Sequence, residues 1–167
     1  MTNECVVVNS SVVIALAEIN LLNILVSLYE EVIVPRAVYK EVVVKGRGKP
    51  GSQELEVLVQ RNRARLLAPR YSAVVKALHD PLGLGEAEAI AVALEQNCMV
   101  ALDDRIARSK ARTMGLKIIG TLGLLRKAYD KGLIGKNTLT QALQQLKQHG
   151  FRISDNIMRE VIGKLNQ

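Results

Sequence analysis

Short runs of β-branched residues alternate with longer stretches of helical hydrophobic period along all 167 residues, the pattern of an α/β domain on a parallel sheet. The runs predict strands at Cys5–Val8, Val32–Val34, Arg65–Leu67, Met99–Leu102 and Lys117–Ile119. Between them, Ser11–Ala17 and Leu21–Leu28 read as a helix pair, Arg36–Val44 as a helix opened by Pro35, and Gln53–Gln60 as another. Gly85–Glu95, Arg105–Met114 and Leu122–Asp130 follow, and Thr138–Lys147 and Asn156–Leu165 form a helical tail with no strand of its own. Lys45–Gly51, with three Gly, one Pro and three basic residues, predicts an exposed loop, and His79–Gly85 a second. There is no internal repeat and no linker long enough to divide the chain. The expectation is one domain over 1–167, with its core at about 5–135 and a helical extension at about 136–167.

Composition narrows the chemistry. Hydrophobic residues make up 49% and charged residues 23%, which argues against disorder and coiled coil. With four Tyr, one Phe and no Trp, aromatic base-stacking platforms are not expected and any nucleic-acid contact should be mainly to phosphates. The net charge of +7 favours a polyanionic partner. It is unevenly placed: residues 1–35 hold no Lys or Arg, Lys45–Lys76 hold eight basic and two acidic residues, and Arg105–Lys136 nine basic and one acidic. No export signal and no apolar stretch of roughly 20 residues is visible, so a soluble, cytoplasmic protein without membrane contact is expected. Cys5 and Cys98 lie in separate strand-like runs without CxxC spacing, which predicts two reduced, buried thiols rather than a disulfide or a zinc site.

In a parallel α/β sheet ligands gather where strands end and helices begin. Asn9 follows the first predicted strand, Glu41 lies in the helix after the second, Glu86 opens the helix after the second loop, and Asp103 and Asp104 follow the fourth strand. Each can serve the fold alone: Asn9, Asp103 and Asp104 as helix caps, Glu86 against a helix dipole. Spacing adds that Glu41 shares the apolar side of its helix with Ala37 and Val38. Glu86 shares a stripe with Ile90 and Ala93, whereas Glu88 shares one with Glu95, so Glu86 is expected inward and Glu88 outward. Clustered carboxylates repel unless a cation neutralises them. Mg²⁺, held by hard oxygens and substrate phosphates, would suit phosphodiester hydrolysis. Ser10 and Ser11 can present hydroxyls there or cap the next helix, and Thr121 reads as a cap. Arg105, Arg108 and Arg112 form a basic stripe beside Asp103 and Asp104, and Lys45, Arg47 and Lys49 add loop cations for a phosphate backbone. Phosphate-binding glycine loops, GxSxG and HExxH are missing, and the two His, His79 and His149, lie far apart, His79 in a surface loop.

Five segments taken in order, "VVVNSSVVIALAEINLLNIL", "VIVPRAVYKEV", "LGLGEAEAIAVALE", "VALDDRIARSKARTMGLKIIGTLGLLRKAYDKGLI" and "GFRISDNI", resemble the PIN-domain ribonucleases. The likeness is to the bacterial and archaeal branch akin to toxins of type II toxin–antitoxin pairs, over about residues 5–162. The resemblance implies a Rossmann-like α/β/α sandwich around a parallel sheet of about five strands, with a Mg²⁺ or Mn²⁺ site of three or four acids. It further implies cleavage of single-stranded RNA, with a cognate antitoxin and a homodimer as partners. The family's acids fall on Glu41, Glu86 and Asp104, with Asp103 beside it. The sequence departs from the family after the first strand, where the usual Asp is Asn9, which keeps a ligating oxygen but loses a charge and cannot act as a base. Two expectations follow: a metal-dependent endoribonuclease weakened at Asn9, or a catalytically inactive relative that binds RNA or protein.

Overall fold

The computed structural model describes residues 4–163. Five parallel strands, β1 (Cys5–Val8), β2 (Glu31–Pro35), β3 (Arg65–Leu67), β4 (Met99–Ala101) and β5 (Ile118–Ile119), form one sheet in the order β3-β2-β1-β4-β5. Val6, Val7 and Val8 are fully buried, as a central strand covered on both faces requires. The pleat sends Val6 and Val8 into one apolar layer and Val7 into the other, and Val32, Val34 and Ile33 on β2 divide likewise.

The larger layer is built by α1 (Ser10–Glu18), α2 (Ile24–Leu28), α4 (Ser52–Gln60), α8 (Thr121–Asp130) and α9 (Lys136–Gln148). The other layer is α5 (Ser72–Leu78), α6 (Leu84–Gln96) and α7 (Arg105–Thr113). The molecule is therefore the expected three-layer α/β/α sandwich. The tail helix α9 inserts Leu139, Leu143 and Leu146, all essentially buried, into the larger layer. The last helix, α10, covers Asp155–Gly163; residues 164 and 165 of the predicted tail helix lie outside the described residues.

Four local expectations are corrected. The predicted helix over 36–44 is a short α3 (Arg36–Tyr39) running into a π-helical turn over Lys40–Val44. The Leu21–Leu28 helix begins only at Ile24, and α5 arises in a segment for which no helix was predicted. Cys5 and Cys98 are not free thiols: they form a disulfide with Cα atoms 5.2 Å apart. The cause is register, because Val6 pairs with Met99 across β1 and β4 and so sets the two preceding residues side by side.

The chain adds β2 and β3 on one side of β1 and then crosses to β4 and β5 on the other. A crevice for ligands is expected between the carboxyl ends of β1 and β4, where the direction of winding reverses. The backbone N–H of Asn9 donates to the carbonyl of Ala101 (3.2 Å), tying those two ends together. Among the described residues no helix is long and apolar enough to cross a membrane.

Candidate functional site

Asn9 leaves β1 in an extended conformation and stands at the N-cap of α1, yet its side chain makes no capping bond. It is 3% exposed, and its Oδ1 has no hydrogen-bond partner. Buried polar oxygens are nearly always satisfied, so this oxygen, unpartnered by protein atoms, is a donor atom that a cation could use. Its Nδ2 reaches only the exposed Ser11 hydroxyl, at 3.5 Å. Ser10, at the first position of α1, does not cap it: its hydroxyl donates to Oε2 of Glu41 at 2.5 Å, a charge-assisted length.

Glu41 sits in the π-helical turn after β2. Turns of this kind often rotate a side chain toward a site, and here Glu41 is half-buried. Its Oε1 accepts the backbone N–H of Gly85 at 3.2 Å. A Cβ on residue 85 would stand 2.8 and 2.9 Å from the two Glu41 oxygens, so glycine is what lets α6 start against this carboxylate. The next residue, Glu86, is half-buried. Burial raises its pKa, and the charges of Asp104 and then Glu41 raise it further. Segments following β1, β2 and β4 and the start of α6 thus meet at one end of the sheet.

The two aspartates after β4 part ways. Asp104 caps α7, its Oδ2 accepting the N–H of Ala107 at 2.9 Å, while its charge is felt at Glu86. Asp103 instead accepts the N–H and the hydroxyl of Thr121, at 2.8 and 2.6 Å. Asp103 therefore fastens the first turn of α8 to the end of β4, and Thr121 is its donor rather than itself the N-cap, which is Gly120.

Glu88 is not outward. It is 4% exposed; its Oε1 accepts the N–H of Ala37 at 2.8 Å and its Oε2 lies 3.9 Å from Arg36. The carboxylate thereby caps α3 from α6 and joins the element that leads to Glu41 to the one that bears Glu86. Sequence reasoning missed this link because α6 is apolar nearly all round, so its period does not choose a face. Glu88→Ala, which leaves a buried N–H unpaired, is expected to cost about 1–3 kcal/mol in urea unfolding, and Glu88→Gln much less.

The cations differ in how they are held. Arg105 and Arg112 are exposed on α7, whereas Arg108 is half-buried with Nη1 donating to the Leu102 carbonyl at 2.8 Å. Lys45, Arg47 and Lys49 are exposed in the turns that follow the π-helical segment. His79 is exposed.

A family profile, DUF3368, described as a PIN domain, matches residues 5–167. The chain belongs to the PIN-domain family. This PIN domain is also similar in structure to a PilT N-terminus domain protein from the hyperthermophilic archaeon Sulfolobus solfataricus P2. The TM-score is 0.47 at 18% identity, over 75% of this chain and 93% of that one. Among curated proteins, none matches the chain.

The divalent ion that membership of this family implies can be set against the donors present. Glu41, Glu86 and Asp104 offer only hard carboxylate oxygens, and Asn9 adds the orphaned carbonyl oxygen, a set suited to Mg²⁺ or Mn²⁺ rather than to a thiophilic metal. Among the described residues no group of three or more His, Cys, Asp or Glu is drawn in to metal-holding distance. Mg²⁺ is commonly held by one or two carboxylates completed by waters and substrate phosphates, so the donors of this PIN domain fit such an ion in type, as an open site.

Proposed function

We propose that this PIN domain is a divalent-metal-dependent endoribonuclease acting on single-stranded RNA, a hydrolase of phosphodiester bonds working in the cytoplasm. In this reading it is the toxin-like member of a type II toxin–antitoxin pair, a homodimer with a protein antitoxin as its partner. The observation that carries the reading is the packing of Glu41 between the Ser10 hydroxyl and the start of α6, where its charge and that of Asp104 are felt at Glu86.

Glu41, Glu86 and Asp104 would hold Mg²⁺ or Mn²⁺, with Asn9 Oδ1 as a weak fourth donor. Once bound, the ion supplies water activation and neutralises charge on the phosphate. Ser10 fixes the orientation of Glu41 by its hydrogen bond. Asp103 is a positioning residue, because both its oxygens are engaged with Thr121; as a ligand it would have to release α8. Arg105, Arg108, Arg112, Lys45, Arg47 and Lys49 attract the phosphate backbone that the acids repel.

A second reading, a catalytically inactive module that binds RNA or a protein partner, is favoured by Asn9, which lacks the charge a strong cation site needs. Labelled single-stranded RNA separates the two. The nuclease cuts it in Mn²⁺ and leaves it intact in EDTA, whereas RNA that is bound but uncut under both conditions selects the module.

A further inference from the structure

A hollow of about 400 Å³ opens on the β5 side of the acidic cluster, and Asp103, Arg108, Gly120, Gly123, Phe151 and Arg152 are among its walls. We propose that it is a subsite for one nucleotide of single-stranded RNA adjoining the phosphate to be cleaved. Arg108 and Arg152 take the phosphate, and the single phenylalanine of the chain, Phe151, takes a face of the base. The proposal rests on the ribonucleic-acid reading of the neighbouring acids.

Position is the first argument. Asp103 in this wall directly precedes Asp104 in the cluster, and Arg108 lies one helical turn beyond Asp104 on α7. A strand whose phosphate lies at the acids therefore passes Arg108 next. The Leu102 carbonyl holds Arg108 Nη1 at 2.8 Å, so the guanidinium is fixed while its remaining donors stay available for a planar anion. Arg152 is exposed and makes no ion pair or hydrogen bond with any described residue. The one acid in the wall, Asp103, already accepts two bonds from Thr121, and two guanidiniums outweigh it.

Room is the second. A Cβ on Gly120 would come within 2.8 Å of Arg108 Nη1 and 3.0 Å of Asp103 Oδ1, and one on Gly123 within 2.9 Å of Ile119 Cγ1. The absence of side chains at these two positions lets the arginine, the aspartate and the strand end come together. The volume lies at the small end of ligand clefts, roughly 300–1,000 Å³, suited to one unstacked nucleotide and not to a duplex, whose bases stay inside the helix. Phe151 is half-buried against the main core layer, which gives it the rigidity a stacking surface needs. It adds a base contact to the contacts with phosphates that composition leads one to expect.

The test is fluorescence anisotropy with a short labelled single-stranded RNA in EDTA, so that binding is read without cleavage. Arg152→Ala is expected to weaken binding and to lower the slope of log Kd against log salt by about 0.7. Phe151→Leu, which keeps an apolar side chain against the core, is expected to weaken binding about tenfold with the slope unchanged. Thermal melting checks both folds, and the exposed Arg152 keeps the test decisive if the Phe151 variant melts early. Both variants binding as the intact chain does would overturn the subsite, whether or not the RNA is cut in Mn²⁺. Weakened binding with RNA that stays whole in Mn²⁺ upholds the nucleotide site and removes the nuclease, and with it the place of that site beside a cleaved phosphate. No binding by the intact chain overturns the subsite, and RNA that also stays whole in Mn²⁺ removes the nuclease with it.

Discussion

Asn9→Asp is expected to lower the melting temperature in EDTA, to raise it in Mn²⁺, and to increase cleavage of single-stranded RNA by an order of magnitude or more. The side chain at position 9 is 3% exposed and its Oδ1 has no partner. A carboxylate placed there without a cation adds a buried charge to a corner where Glu86 already resists ionisation. That penalty should be roughly 2–4 kcal/mol, or on the order of 5–15 °C for a chain of this size. An ion that binds only the folded state reverses the sign, because its binding free energy adds to stability. Differential scanning fluorimetry with and without Mn²⁺, beside a cleavage assay, reads all three effects. Equal melting of variant and parent under both conditions would mean that position 9 does not face a cation site.

Glu86→Gln is the complementary case: it is expected to reduce Mn²⁺-dependent cleavage by about 100-fold or more, the loss of several kcal/mol of charge stabilisation. The same change should alter how stability depends on pH. Burial, then Asp104, then Glu41 raise the Glu86 pKa in the folded chain. Between the ordinary glutamate value and the raised one, the folded state therefore holds more protons than the unfolded state. Stability falls as pH rises through that window and stays lower above it. With glutamine this component disappears, so urea midpoints in EDTA should converge at acid pH and favour the variant near neutrality. A variant less stable than the parent at neutral pH, with cleavage retained, would show Glu86 to be a structural residue.

Strand β1 was legible because a buried parallel strand is a continuous β-branched run, and it matches the predicted Cys5–Val8; β3 matches Arg65–Leu67 although it is an exposed edge strand without a β-branched residue. Helix α5 was not legible, since seven residues between Pro69 and a second Pro/Gly segment carry too little period to stand out. At the site, strand ends located Asn9, Glu41 and the two aspartates, but partners that tertiary register supplies escaped. The donor that engages Asp103 lies 18 residues away, the backbone that engages Glu88 lies 51 away, and the two cysteines are 93 apart. Ser10 was left between capping and chemistry, and its choice depends on Glu41, which reaches it only through a π-helical turn that hydrophobic spacing does not reveal.

The seat of the Glu41 carboxylate against α6 also bears on how this chain can drift. A methyl group at residue 85 would stand within 2.9 Å of both oxygens, so a descendant that gains a side chain there must swing the Glu41 carboxylate out of its seat. Selection for that seat therefore ties glycine at 85 to glutamate at 41, and a relative that has abandoned the site is released from both constraints at once.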